Sequence, residues 1–289
     1  LYLTFQALLD PGDAVLVPAP YWVSYIDMTR LAGGVPIILP TTPESGFKVS
    51  PAQLAEAMAL HPYAKALVLN SPSNPTGAMY SEAELRALAE VVATRPDFVV
   101  ISDEIYEHLV YGDQRFFSIA QVDSVRAQTV IVNGCSKAYS MTGWRIGWAI
   151  GDPALIAAMT RIASHETSNP TSIAQAAAEA ALRGDQSPVE EMRKAFDERR
   201  RVMVDGLNAI PGVTCNEPGG AFYAFPNIGA HLKPGETADE LAARLLDEAK
   251  LAVVPGNGFG APDYIRLSYA ASMANIEEGL SRLAKFLGA

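Results

Sequence analysis

The sequence predicts an α/β fold: a three-layer α/β/α unit on a mostly parallel sheet, followed by a smaller α+β unit. Two observations carry the first part. Short, wholly apolar and β-branched runs recur at Ala14-Val15-Leu16-Val17, Ala66-Leu67-Val68-Leu69, Phe98-Val99-Val100-Ile101 and Thr129-Val130-Ile131-Val132, the pattern of strands covered on both faces. They alternate with helical stretches such as Ser81 to Val92, where Ser81 followed by Glu84 forms a capping box. That βαβ rhythm implies helices on both sides of a parallel sheet. The third observation is a long charged amphipathic helix from about Pro188 to Ile210, beyond which the strands become short and irregular. It marks the change of architecture, and the division is set at 1–190 for the large domain and 191–289 for the small one.

Each remaining element has its own signal. Leu1 to Leu9 has the look of a buried helix stopped by Asp10-Pro11-Gly12-Asp13. Helices are expected at Pro153 to Ser164 and Ser172 to Leu182. In the second unit, short strands fall near Val213 and from Ala221 to Phe225, with a helix from Ala238 to Lys250. An alternating strand around Arg266 and a last helix from Asn275 to Leu287 complete it.

The residues just beyond the apolar runs are chemically richer than the runs themselves. The first run leads into Pro20-Tyr21-Trp22, the second into Asn70-Ser71-Pro72-Ser73-Asn74-Pro75-Thr76-Gly77, the third into Ser102-Asp103-Glu104-Ile105-Tyr106, and the fourth into Asn133-Gly134-Cys135-Ser136-Lys137. Ligands of open parallel sheets bind outside the carboxyl ends of the strands, so Trp22, Asn74, Asp103, Tyr106 and Lys137 converge on one cleft. Arg145, eight residues after Lys137, adds an anion clamp. Taken alone, each has a plainer reading: Lys137 as a surface lysine, Asp103 as a helix N-cap, Trp22 and Tyr106 as core, Arg266 as a strand-surface ion-pair former.

Composition narrows the function. The net charge of −10 argues against nucleic acid, whose phosphates call for basic surface. No apolar run approaches membrane-spanning length. Two cysteines, Cys135 and Cys215, stand far apart, and His61, His108, His165 and His231 lack ligand spacing, which gives a metal site little support.

Gly134-Cys135-Ser136-Lys137 with Thr142-Gly143-Trp144-Arg145-Ile146-Gly147 resembles the cofactor-attachment signature of class I/II pyridoxal-phosphate aminotransferases, and the likeness covers essentially the whole chain. The resemblance implies fold type I, aspartate or aromatic aminotransferase-like, with pyridoxal 5'-phosphate as cofactor and an amino acid and a 2-oxo acid as substrates. It assigns Lys137 to the Schiff base and Arg145 to the cofactor phosphate. Asp103 pairs with the pyridine nitrogen, Asn74 and Tyr106 hydrogen-bond the phenolic oxygen, and Trp22 stacks on the ring with Tyr21 as fallback. Arg266, in Arg266-Leu267-Ser268, grips the substrate α-carboxylate, for which a planar two-pronged donor is suited. Gly219-Gly220-Ala221-Phe222-Tyr223 and Val254-Pro255-Gly256-Asn257-Gly258 also agree with the family in order and spacing.

The same resemblance implies a cytoplasmic homodimer with shared active sites. It also implies that about the first quarter of a full chain, with a glycine-rich phosphate loop and a tyrosine given to the partner, precedes Leu1. Two rival functions share these motifs: a lyase on the same scaffold, either a C–S β-lyase or an aminocyclopropane-carboxylate synthase-like enzyme, and an aminotransferase-like sensor domain of a transcription regulator.

Overall fold

Residues 1–288 are described by the structure, a computed structural model. The apolar runs form the strands of one sheet: β1 (Ala14–Ala19), β2 (Val35–Pro40), β3 (Ala64–Asn70), β4 (Val99–Asp103), β5 (Thr129–Gly134) and β6 (Gly147–Ile150), in the order β2-β1-β3-β4-β5-β6. All neighbours are parallel except β5 and β6, which pair antiparallel. The mostly parallel sheet is therefore as the sequence predicts.

Successive side chains explain why the runs are apolar throughout. Leu16, Leu67 and Val100 pack on one face with Leu54 of α3 (Pro51–Leu60) and Leu85 and Leu88 of α4 (Glu82–Val92). Val15, Val17, Ala66, Val68 and Ile101 pack on the other, with Phe5 of α1 (Tyr2–Leu8) and Tyr25 and Ile26 of α2 (Ser24–Leu31). Period-2 side chains alternate faces, so a sheet covered on both sides needs apolar residues at every position. The capping box of Ser81 and Glu84 starts α4.

After β6 the chain forms α5 (Pro153–Glu166) and α6 (Ser172–Arg183), then the long α7 (Ser187–Asn208). A three-stranded sheet comes next, with β7 (Tyr223–Ala224) and β8 (Val254–Pro255) antiparallel to the central β9 (Ile265–Ser268). It packs with α7, α8 (Ala238–Ala249) and α9 (Met273–Leu287) around Leu207, Leu241, Leu245, Ile265 and Leu283. Tyr106, Leu109 and Tyr111, just beyond β4, belong to this same core. The end of the central strand is thus pinned beneath the second sheet.

Among the strands and α-helices, five fall outside the sequence expectation, two-residue β8 being one, and the strand expected near Val213 is only an isolated bridge between Thr214 and Asn227. β2 is bracketed by Pro36 and Pro40, which an edge strand tolerates because one side of its backbone needs no partner. β6 is a short edge strand of four residues. α2 has no side-chain cap to announce it. α3 does carry a start signal, Ser50 capping Gln53 with Pro51 in the first turn.

The loop after β3 is fastened to the segment before β7. The carbonyl of Gly77 accepts from the amides of Gly219 and Gly220 at 2.9 and 3.0 Å. Buried Arg200 of α7 steadies the other side, donating to Asp197 at 2.7 Å and to the Pro218 carbonyl at 3.2 Å. Gly77 has φ +67°, and a Cβ there would strike Pro218 and lie 2.8 Å from the Gly220 carbonyl oxygen. Gly112, at φ +62°, faces open space. Gly112→Ala should therefore cost only the left-handed backbone penalty of about 1–2 kcal/mol, and Gly77→Ala should cost at least about 1 kcal/mol more through the clash. Urea unfolding of the two variants checks this; equal losses would show that the Gly77 junction is not close-packed.

Candidate active site

Four adjacent parallel strands, β1, β3, β4 and β5, deliver their carboxyl ends to one rim, and a cavity of about 390 Å³ opens there. Its walls include Trp22, Tyr25, Asn74, Asp103, Tyr106, Ser136, Lys137, Arg145, Tyr223 and Arg266. All seven residues singled out by the sequence are brought together, across 244 positions of chain from Trp22 to Arg266. Tyr21 does not line this cavity; its backbone amide instead donates to the Phe259 carbonyl at 3.1 Å.

Asp103 is the last residue of β4 and only 5% exposed. No helix follows it. Residues 105–108 form turns, so the helix N-cap alternative does not hold, although Oδ1 does accept from the Ile105 amide at 3.3 Å. Oδ2 accepts from the hydroxyl of fully buried Tyr25 at 2.7 Å. Burial pushes the carboxyl pKa up, and the Tyr25 hydrogen bond pulls against that shift by stabilising the charged form. Glu104, the next residue, points elsewhere and takes hydrogen bonds from Ser102 and Ser118 at 2.8 and 2.5 Å.

Asn70 fixes the neighbouring corner. Its amide nitrogen donates to the Asp103 carbonyl at 3.0 Å, and its side-chain oxygen accepts from the Asn74 amide at 2.8 Å. Asn74 in turn accepts from Arg266 Nη1 at 2.7 Å. The Arg266 guanidinium also lies 4.4 Å from the Tyr223 ring centroid and 5.0 Å from that of Phe259. A cation held by two rings and one amide is set in place before any anion arrives.

Lys137 lies three residues past β5, half-buried, with Nζ 5.9 and 5.7 Å from the Tyr106 and Phe222 ring centroids. Desolvation lowers its pKa, and the Arg266 charge adds to the effect. Both disfavour the ammonium and so favour a nucleophilic amine. Arg145 closes the rim after a short 3₁₀ turn, its backbone left-handed at φ 50° and its Nη1 donating to the Thr142 carbonyl at 2.9 Å. The exposed guanidinium stands ready for an anion. A larger open groove of about 1040 Å³ adjoins Arg145, but Arg145 is the only titratable side chain on it among the described residues.

Tyr25, Asn70 and Tyr223 are the members that sequence reasoning missed. Tyr25 stands one helical turn beyond Trp22, and their rings meet edge to face at 5.4 Å, yet a tyrosine on an apolar helix face reads as packing. Its partner is 78 residues away. Among the described residues no helix is long and apolar enough to cross a membrane, and no cluster of three or more potential metal ligands occurs.

A strand-end cleft of this kind, lined by a desolvated lysine, a buried aspartate and two arginines, is suited to nucleophilic chemistry on an anionic ligand. Residues 1–283 match the family described as aminotransferase class I and II. The aspartate aminotransferase of Geobacillus stearothermophilus is 52% identical over 292 aligned positions, covering 100% of this chain and 74% of that protein. That of Bacillus subtilis is 51% identical, covering 99% and 73%. Among solved structures, the aspartate aminotransferase of Rhizobium meliloti superposes with a TM-score of 0.94 at 42% identity, covering 99% of this chain and 73% of that one. The chain belongs to the aminotransferase class I and II family. It is an aminotransferase, an enzyme that moves an amino group between an amino acid and an oxo acid.

The Tyr25–Asp103 bond has a testable consequence in the protein without cofactor. A folded-state carboxyl pKa above its unfolded value means that the fold binds the proton more tightly, so stability falls as pH rises from the unfolded pKa through the folded one. Tyr25→Phe removes the donor that opposes this rise. At pH 7 it should cost about 1.5–3 kcal/mol, the worth of a hydrogen bond to a charged group, and clearly less at acid pH where Asp103 is neutral. Urea unfolding at the two pH values measures the difference. A pH-independent loss would mean that Tyr25 acts through packing alone.

Proposed function

We propose that the chain is an aspartate aminotransferase that uses pyridoxal 5'-phosphate; the charge pattern of the cleft carries the cofactor, and the likeness to aspartate aminotransferases carries the substrate. Three cationic side chains, Lys137, Arg145 and Arg266, face one carboxylate, Asp103. That set suits a phosphorylated ring cofactor together with the α-carboxylate of an amino acid. The choice of aspartate rests on the relatives, since two that are 52% and 51% identical are aspartate aminotransferases.

The donor set fits the cofactor group by group. Trp22 supplies an aromatic face, Arg145 a cation for the phosphate, Asn74 and Tyr106 polar groups for the phenolic oxygen, Asp103 a carboxylate for the ring nitrogen, and Lys137 the point of covalent attachment. Bound, the cofactor supplies an electron sink for the pair left behind when the substrate α-carbon loses its proton. The remaining chemistry belongs to the protein. Asp103, whose charged form the Tyr25 hydrogen bond stabilises against burial, favours a protonated ring nitrogen beside it. Lys137 Nζ, with its ammonium form disfavoured by desolvation, accepts the proton from the substrate α-carbon. Arg266, pre-set by Asn74, Tyr223 and Phe259, takes the α-carboxylate through paired hydrogen bonds and so fixes which α-carbon bond faces Lys137.

The division into a large domain up to residue 190 and a small one after it suits such a site, because Arg266 rides on the second sheet while the cofactor groups ride on the first. We also take the enzyme to be a cytoplasmic homodimer. The apolar groove beside Arg145 carries half-exposed Trp144 and 72% exposed Ile173, a surface suited to a second copy, and both cysteines are free thiols, as expected of a reducing compartment.

Two measurements test this reading. Protein loaded with pyridoxal phosphate should convert L-aspartate and 2-oxoglutarate to oxaloacetate and glutamate in equal amounts, faster than it uses aromatic amino donors. Preference for an aromatic donor would remove aspartate as the substrate while leaving the transferase. Arg266→Ala should lower kcat/KM for aspartate at least about thirtyfold, as when one partner of a desolvated charge pair is truncated, and should leave cofactor affinity within a few fold. A variant that lost cofactor and substrate binding together would assign Arg266 to the fold.

A further inference from the structure

Tyr223 stands at the junction of the two halves of the site. It lies in β7 directly beside β9, the strand that bears Arg266. Its hydroxyl is 2.9 Å from that of Tyr106, and its ring face lies 4.4 Å from the Arg266 guanidinium. It lines the cavity, yet it is only 7% exposed and held edge-on by Phe222 and Tyr106. One rigid side chain therefore touches both the group that faces the cofactor oxygen and the group that faces the substrate carboxylate.

We propose that Tyr223 is a positioning residue with two separable duties: its hydroxyl orients and polarises Tyr106, and its ring holds Arg266. This rests on the assignment of Tyr106 and Arg266 made above. For Tyr106 to donate its hydrogen into the cavity, Tyr223 must be the donor in the pair. A hydroxyl that accepts a hydrogen bond becomes the stronger donor. Tyr106 is buried, and the other charged or titratable groups acting on it are Asp103 from β4, Arg266 from β9 and Lys137 over its ring. None of them is hydrogen-bonded to its hydroxyl; Tyr223 alone is, among the described residues. The ring duty is independent of the hydroxyl, since attraction of a cation to an aromatic face needs only the ring.

Two variants of the holoenzyme separate the duties. Tyr223→Phe keeps the ring and removes the hydroxyl. With Tyr106 a weaker donor, an oxyanion beside it takes up a proton more readily, so the pH midpoint of the bound cofactor's visible absorbance transition should move up by about half a unit or more. The Kd of the unreactive dicarboxylate maleate should stay within about twofold. Tyr223→Leu removes both features, and should show the same upward shift together with a roughly five- to thirtyfold weaker maleate Kd, the fold-change expected for a desolvated cation–ring contact. A Tyr223→Phe midpoint equal to wild type would overturn the hydroxyl duty, and a Tyr223→Leu Kd equal to that of Tyr223→Phe would overturn the ring duty. If wild-type holoenzyme showed no pH-dependent transition at all, the cofactor assignment itself would fall, and the inference with it.

Discussion

A carboxylate buried at the end of the central strand is the constraint around which the site is arranged. Asp103 would ordinarily give up its charge on entering so dry an environment. What opposes this is local: Tyr25 on one oxygen, the Ile105 amide on the other, and Lys137 across the cavity. Each of these is itself placed by burial. Tyr25 sits in the core that covers one face of the sheet, and the turn after β4 lies beneath the second sheet. The electrostatics of the cleft are thus a by-product of how the two cores pack.

The same logic accounts for the division of labour between the sheets. Parallel strands align the carboxyl ends of β1, β3, β4 and β5, so residues far apart in the chain share one rim with no need for long loops. Trp22, Asn74, Asp103 and Lys137 all come from that rim. Arg266 comes instead from β9 in the second sheet and is linked to the rim by Asn74 and Tyr223. The same two units are joined again by backbone hydrogen bonds from the Gly219 and Gly220 amides to the Gly77 carbonyl.

Much of this arrangement is legible in the sequence. Strands covered on both faces advertise themselves as unbroken apolar runs, and the polar residues just beyond them mark the rim; that is why Asn74, Asp103 and Lys137 can be named from local context, and why Arg266 needs only its alternating strand and the family resemblance. Edge elements are less readable. The prolines of β2 argue against a strand unless its edge position is known, and α2 has no cap. Tyr25, Asn70 and Tyr223 escape for a different reason: their partners lie 78, 33 and 117 residues away, and nothing local distinguishes a tyrosine that packs from one that packs and donates. Glu104 shows the converse. A carboxylate adjacent to Asp103 in sequence faces two serines instead, because successive residues leaving a strand point to opposite sides.

The central claim is that the cleft holds its cofactor on Lys137, the one lysine lining it among the described residues. Protein loaded with pyridoxal phosphate, reduced with borohydride and digested, should yield a single modified peptide with the pyridoxyl group on Lys137. Modification at Lys65, Lys194 or another surface lysine, with Lys137 unlabelled, would contradict the account.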